Sequence, residues 1–176
     1  IAKILLGQAV PSGKLPVTVP KHIGQIPFHY SQKRINFKKD YMFLGSEPLY
    51  PFGYGLSYSS FIYSDLRLSK NNIKQGESLT ASITVTNTGN YKAKEVVQLY
   101  IQDVIGSVIR PAKELKAFEK IELAPSESKI VTFTISPKML AFTGKDMKTK
   151  VETGDFMVEI GTSSQQTTSA KFAVAD

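Results

Sequence analysis

The stretch SLTASITVTNTGN, residues 78–90, decides the fold. From Leu79 to Val85 an apolar residue recurs at every second position, and serine or threonine stands between. Because successive side chains of a β-strand point to opposite faces of its sheet, this period predicts a strand with one buried face. The Asn, Gly and Asn that close the stretch are turn formers, so the strand is predicted to end before residue 90.

Similar short strand patterns occupy the rest of the chain from residue 61 onward. They are FIYSDLRL (61–68), EVVQLYIQD (95–103), KELKAFEKIEL (113–123), SKIVTFTI (128–135), GDFMVEIGTS (154–163) and SAKFAVA (169–175). In the second of these, Val96 and Tyr100 indicate that the outward face is also partly covered. Turn residues join the strands, and Ser136 followed by Pro137 predicts an N-cap and a single helical turn.

This arrangement, about seven short strands without long helices between them, predicts a mainly β fold. The expected architecture is an antiparallel β-sandwich of the immunoglobulin or fibronectin type III kind.

Composition excludes several classes of site. Among the 176 residues there is no cysteine and there are only two histidines, His22 and His29, so a zinc site of the usual kind is not expected and no cofactor is implied. The net charge of +7 comes mostly from residues 1–60, which hold seven Lys or Arg against two Asp or Glu. A basic strip around Phe37, made of Lys33, Arg34, Lys38 and Lys39, leaves nucleic-acid binding open, although a charge run is more often a solvated loop.

The first residues look like the end of a longer structure. Ile1, Ile4 and Leu5 share a helical face, and Gly7 followed by Pro11 is a stop signal. We therefore expect a helix that continues upstream, in the C-terminal piece of a larger protein. No apolar run is long enough to span a membrane, and no signal peptide is visible in the chain.

A segment rich in aromatic residues precedes the strands. EPLYPFGYGLSYSSF, residues 47–61, holds three tyrosines and two phenylalanines between prolines and glycines, so an irregular extended connector is predicted. Its rings need to be covered. Two alternatives stay open: the rings bind neighbouring domains, or they form a platform on which sugars stack.

Taken together, these motifs resemble the C-terminal end of glycoside hydrolase family 3, which includes β-glucosidases and β-xylosidases. The motifs that carry the resemblance are PSGKLPVTVP, GQIPFHY, PLYPFGYGLSYSSFIYSDLRLS, LTASITVTNTGNYKAKEVVQLYIQD, RPAKELKAFEKIELAPSESKIVTFTI and GDFMVEIGTSS, in this order. The resemblance implies a parent enzyme with a catalytic barrel, an α/β sandwich and a fibronectin type III-like module. Residues 1–20 would then end the α/β sandwich, residues 21–60 would be the connector, and residues 61–176 would be the module.

The same resemblance implies a retaining hydrolase that removes β-linked glucose or xylose from non-reducing ends of oligosaccharides or glycosides. Its catalytic carboxylates would lie upstream, so no catalytic residue and no metal site are assigned to this chain. The partners would be the barrel and the α/β sandwich of the same protein, with substrate bound through the parent, and neither nucleic acid nor a membrane is expected. A secreted or periplasmic location is expected, with any signal peptide upstream of this chain.

The expected interface residues are those of the connector, Tyr50, Phe52, Tyr54, Leu56 and Tyr58. Residues 1–60 should have no core of their own and should leave an exposed patch or a loosely docked segment. Among the acids that remain, Glu114, Glu119 and Glu122 alternate with lysines along a strand and are predicted to be charges on its solvent face. An independent carbohydrate-binding or adhesion module without catalysis is the alternative.

Overall fold

The chain folds as a β-sandwich, onto which residues 8–33 and 45–60 are packed. The structure is a computed structural model that describes residues 1–33 and 45–176. The strands are β1 Phe61–Leu68, β2 Asn72–Lys74, β3 Leu79–Asn87, β4 Ala93–Asp103, β5 Glu114–Leu123, β6 Ser128–Ile135, β7 Phe142–Thr143, β8 Thr149–Lys150, β9 Gly154–Gly161 and β10 Thr167–Ala175.

Two sheets make the sandwich. One has three strands in the order β1-β3-β6, and the other has five in the order β2-β10-β9-β4-β5; β7 and β8 form a separate small pair. Neighbouring strands are antiparallel except β2 and β10, which pair in parallel. The predicted sandwich is therefore confirmed. The sequence reading missed β2, β7 and β8 because strands of two or three residues are too short to show a period.

The core lies between the two sheets and follows the predicted alternation. In β3 the odd-numbered residues from Leu79 to Val85 are buried, and the threonines and serines between them are partly exposed. Facing residues come from the second sheet, among them Val97 and Leu99 of β4 and the stacked rings of Phe156 and Phe172, whose centroids are 5.4 Å apart. Side chains from both sheets thus form one continuous apolar layer.

Helical structure is confined to short turns in the described ranges 1–33 and 45–176. The helix α1 spans Ala2–Leu5, a short 3₁₀ helix spans Ile23–Gln25, and α2 spans Pro137–Leu140. The predicted turn after residue 136 is confirmed, with Pro137 at its first position, but the Ser136 side chain makes no capping hydrogen bond. Within these ranges no helix is long and apolar enough to cross a membrane.

We call residues 8–33 and 45–60 the arm and residues 61–176 the sandwich. The two parts of the arm pair with each other: the Leu15 amide donates to the Tyr54 carbonyl, and the Val19 amide donates to the Tyr50 carbonyl. The arm then bonds to the sandwich through Ser164, whose amide donates to the Phe52 carbonyl over 2.9 Å. The expectation of a loosely docked segment is therefore wrong, because the arm is hydrogen-bonded along its length.

Candidate functional site

The inner side of the arm covers the outward face of β4. Tyr100 and Gln98 point away from the core, yet Tyr100 is completely buried and Gln98 almost so. Tyr30 lies edge-on to Tyr100, with ring centroids 5.8 Å apart, and stacks on Phe52 at 4.2 Å. The outward face of β4 is covered, as Tyr100 predicted, and the structure shows that the arm covers it. Burial is the main cause that raises the pKa of Tyr100 above its usual range, so its hydroxyl stays protonated and donates to the Gln98 Oε1 over 2.5 Å.

A tight turn brings Phe52 to this inner side. The Tyr54 amide donates to the Pro51 carbonyl, and Gly53 has a φ of +78°, which glycine adopts without strain. A Cβ at Gly53 would lie 2.1 Å from the Gln98 Oε1, so only glycine fits there. Gln98 donates in turn to the carbonyls of Gly53, over 3.2 Å, and Thr162, over 2.6 Å. The turn is thus both bonded to the sandwich and shaped by it.

A buried ion pair joins the arm to one end of the sandwich. The Lys14 Nζ lies 3.0 Å from the Glu95 Oε1, and the two side chains are only 14% and 5% exposed. The same oxygen accepts hydrogen bonds from Tyr63, over 2.9 Å, and from Thr162, over 2.6 Å. Burial and then the charge of Glu95 raise the pKa of Tyr63 far above its ordinary value, which keeps its hydroxyl a donor.

The outer side of the arm is apolar and open. The predicted interface residues Tyr50, Leu56 and Tyr58 are 40%, 71% and 45% exposed. Tyr50 and Tyr54 have ring centroids 5.0 Å apart and line an open groove of about 470 Å³ together with Leu15 and Leu56. We call Tyr50, Tyr54, Leu56 and Tyr58, with the exposed Ile4, Leu5 and Leu6 beside them, the apolar patch.

The apolar patch continues into the first helix, since the Tyr58 hydroxyl donates to the Ile4 carbonyl over 2.7 Å. The expected exposed patch is therefore present. The structure places Phe52 on the opposite, inner side of the arm, so the five predicted interface residues do not form one surface.

The acidic residues weighed from sequence are mostly engaged in ion pairs. Glu122 pairs with Lys92 and Lys94 at the surface, and Glu119 lies 4.0 Å from Lys129. These two are solvent-face charges as predicted. Glu114 differs, because it is less exposed and its Oε2 accepts from the Arg110 Nη2 over 2.9 Å.

Arg110 holds a loop at the far end of the sandwich. Its guanidinium donates to Asp103, over 3.2 Å, and to the Leu140 carbonyl, over 3.3 Å, and lies 4.6 Å from the centre of the Phe142 ring. Burial outweighs Arg110 and raises the pKa of the Asp103 carboxyl. Arg110 thus anchors the loop between β4 and β5.

The two histidines have different positions, and most of the basic strip lies outside the described residues. The His22 ring accepts from the Gly24 amide over 3.0 Å and caps the 3₁₀ helix, and His29 is exposed at the rim of a cavity. Phe37, Arg34, Lys38 and Lys39 lie outside the described residues. In the described part of the chain, no group of three or more His, Asp or Glu residues could hold a metal ion.

Sequence reasoning missed the Lys14–Glu95 pair, although one signal was present. Glu95 has the same parity as Val97 and Leu99, which places a carboxylate on the buried face of β4. A charge on that face requires a partner. Nothing local identifies Lys14, because it is 81 residues away in the sequence.

Two parts of the chain match known protein domains. Residues 1–58 match the glycosyl hydrolase family 3 C-terminal domain, and residues 95–164 match the fibronectin type III-like domain. The chain belongs to glycoside hydrolase family 3 and corresponds to the C-terminal portion of its members. The Lys14–Glu95 pair joins a residue of the first match to a residue of the second.

Several curated relatives are similar to this chain over almost its whole length. The chain is 61% identical to a putative β-xylosidase of Formosa agariphila over 93% of this chain and 22% of that protein. It is 43% identical to a periplasmic β-glucosidase of Salmonella typhimurium over 98% of this chain and 24% of that protein. The chain thus spans about a quarter or less of the length of these two relatives.

Solved structures show the same fold. A β-glucosidase of Erythrobacter marinus superposes with a TM-score of 0.94 at 40% identity, over 99% of this chain and 23% of the other. A β-glucosidase of Listeria innocua in complex with isofagomine gives 0.92 at 37% identity, over 99% and 26%.

Proposed function

We propose that this chain is the non-catalytic part of a retaining family 3 glycoside hydrolase, in which it stabilises and positions the catalytic domains. The observation that carries this proposal is the two-sided arm. Its inner side is fixed to the sandwich by buried polar contacts, and its outer side presents the apolar patch. Exposed apolar patches of this kind mark surfaces that bind other protein.

The proposed occupants of the apolar patch are the catalytic barrel and the α/β sandwich of the same parent protein. Residues 1–20 would complete the α/β sandwich, residues 21–60 would connect the domains, and residues 61–176 would be the fibronectin type III-like module. The match of residues 1–58 to the family 3 C-terminal domain supports the boundary near residue 60. The relative named as periplasmic supports a secreted or periplasmic location for the parent.

The proposed reaction of the parent is removal of β-linked glucose or xylose from the non-reducing ends of oligosaccharides or glycosides. The names of the relatives, β-xylosidase and β-glucosidase, support it. A retaining mechanism uses two carboxyl groups about 5–5.5 Å apart, one as nucleophile and one as acid/base. We assign neither to this chain. Among its acids, Glu95 is bound to Lys14, and Asp103 and Glu114 are bound to Arg110.

The test compares two exposed apolar residues, one inside the apolar patch and one outside it. Leu56→Asp changes the patch, and Ile130→Asp changes the outer face of β6, where Ile130 is 66% exposed. Burying a leucine fully is worth about 1.5–3 kcal/mol, and a buried unpaired carboxylate adds a further cost. In the full-length parent, Leu56→Asp should therefore lower the melting temperature well below that of Ile130→Asp. In the 176-residue chain alone, both substitutions should leave it nearly unchanged.

Activity of the parent is measured on nitrophenyl β-glucoside and β-xyloside. We expect the Michaelis constant of the folded Leu56→Asp enzyme to stay close to that of the wild type. A large rise in this constant at an unchanged melting temperature would show instead that the patch binds sugar. A parent that hydrolyses neither glycoside would refute the proposed reaction.

A further inference from the structure

A second cavity lies between the arm and the sandwich, away from the apolar patch. Its volume is about 400 Å³, within the usual range for small-molecule sites. The wall combines two rings with several polar groups. The residues that matter here are Thr18, Phe28, Tyr30, Glu47, Lys113 and Gln165.

Thr18 gives the first independent sign of a ligand. In residues 1–33 and 45–176, its Oγ1 is the single buried side-chain nitrogen or oxygen atom that has no hydrogen-bond partner. Buried polar atoms are almost always paired, and an unpaired one calls for a missing partner. Thr18 lines both this cavity and an adjoining one, so a ligand bound in the cavity would lie beside it.

The other polar groups are held in place before any ligand arrives. The Gln165 Nε2 donates to the Glu47 Oε2 over 2.6 Å. The Lys113 Nζ donates to Glu159, over 2.5 Å, and to the Ser164 carbonyl, over 2.8 Å. A preorganised site loses less side-chain freedom when it binds.

The rings are fixed in the same way. Tyr30 is held between Phe52 and Tyr100, and its hydroxyl accepts from the Leu115 amide over 3.2 Å. Phe28 is half-buried in the same wall. The cavity therefore offers rigid apolar surface next to fixed hydrogen-bonding groups.

Charge decides which class of ligand fits. The ammonium of Lys113 is already matched by Glu159, and Lys33 and Glu47, which also line the wall, have opposite charges. The wall therefore has no excess positive charge that would favour a phosphate or another anion. Amide and carboxylate oxygens accept from hydroxyl groups, amide and ammonium nitrogens donate to them, and an aromatic ring covers an apolar ring face. A pyranose has both surfaces.

We propose that this cavity binds one neutral pyranose ring, as a non-catalytic saccharide site. Phe28 covers the apolar face of the sugar, Gln165, Glu47 and Lys113 bind its hydroxyl groups, and Thr18 gains the hydrogen bond that it lacks. The argument for a pyranose stands on the cavity alone, and only the choice of glucose and xylose as probes rests on the proposed function.

The test titrates the 176-residue chain with glucose, xylose and the open-chain polyol xylitol. Amide proton–nitrogen correlation spectra report binding, and the side-chain amide of Gln165 is the local probe. The variants are Thr18→Val and Phe28→Ala. The matched controls are Thr132→Val, on the exposed face of β6, and Phe118→Ala, on the exposed face of β5.

We expect glucose or xylose to shift the Gln165 side-chain signal, and xylitol to shift it much less because it has no ring face. Thr18→Val should weaken binding by about fivefold, the effect of one ordinary hydrogen bond. It should also leave the melting temperature of the free chain unchanged or raised, since it removes an unpaired buried hydroxyl. A merely structural threonine would give the opposite change in stability. Phe28→Ala should weaken binding further, and both controls should bind as the wild type does.

Three results would overturn the proposal. The first is the absence of a shift with either sugar at tens of millimolar. The second is binding by Thr18→Val and Phe28→Ala that is as tight as that of the wild type. The third is a clear loss of stability in the free Thr18→Val chain. A parent without glycosidase activity would refute the proposed function and would leave these titrations as they are.

Discussion

Replacing Lys14 by methionine tests whether the arm is fixed to the sandwich by the buried ion pair. Methionine keeps the length and the apolar stem of the side chain but removes the charge and the hydrogen bonds to Glu95 and Thr162. Removing one partner of a buried pair costs about 3–5 kcal/mol, whereas an exposed pair contributes about 0–1 kcal/mol.

The local geometry places the expected cost at the lower end of that range. The side chains of Lys14 and Glu95 are 14% and 5% exposed, so solvent screens them little. After the substitution, Tyr63 and Thr162 still donate to the Glu95 Oε1, which limits the penalty. We therefore expect a loss of about 3 kcal/mol. For a chain of this size, that corresponds to a decrease of about 6–12 °C in melting temperature.

The assay is urea unfolding of the 176-residue chain, with thermal melting as a second measurement. Glu95→Gln completes a double-mutant cycle, because the neutral amide can still accept from Tyr63 and no longer needs a cation. Lys14→Met should cost less in that background, with a coupling energy of about 1–3 kcal/mol. The control is Lys92→Met, whose partner Glu122 is exposed; it should leave the unfolding midpoint unchanged within error. If Lys14→Met and Lys92→Met have equal effects, the pair is solvated and the reasoning is refuted.

Three further expectations can be checked with the same chain. Gly53→Ala should destabilise it strongly, since its Cβ would meet Gln98, whereas Gly7→Ala, with no atom within 4 Å, should carry only the strain of a positive φ; urea unfolding compares them. Hydrogen bonds from Ser107, and then Lys150, lower the pKa of Glu152 from 4.5 to about 2. The stability that ionised Glu152 contributes is therefore fully present above pH 4.5 and is lost as the pH falls toward 2. Glu152→Gln should reduce the pH dependence of the melting temperature in that window and leave it unchanged at higher pH. The isolated chain should not hydrolyse nitrophenyl β-glucoside or β-xyloside; turnover that disappears when one of its own acids is mutated would contradict this.

The sandwich was predictable because each long strand carries its own signal. The alternation from Leu79 to Val85 is local and survives in the structure residue by residue. The parallel pairing of β2 with β10 was not predictable in the same way. It joins Ile73 to Val174, a hundred residues apart, and a three-residue strand gives no period from which to infer a partner.

The arm was only half predictable, for a physical reason. A cluster of rings between prolines and glycines indicates that something covers them, and Tyr100 indicates that something covers the outward face of β4. Neither pattern indicates that the rings and the outward face of β4 pack against each other. That depends on the turn at Gly53, which directs Phe52 to the sandwich while Tyr50 and Tyr54 stay on the outer side.

The two sides of the arm use different physical interactions, and this difference has a consequence for assembly. The inner side packs the Tyr30 ring on Tyr100 and adds hydrogen bonds and one ion pair, at Gln98 and Lys14, which are directional and tolerate little displacement. The outer side relies on apolar surface, which binds in proportion to the area covered and is not directional. In the proposed assembly, the inner contacts therefore fix the position of the patch, and the patch supplies affinity for the catalytic domains. A substitution at Lys14 should displace the whole patch, whereas a substitution at Leu56 should weaken one contact and leave the others in place.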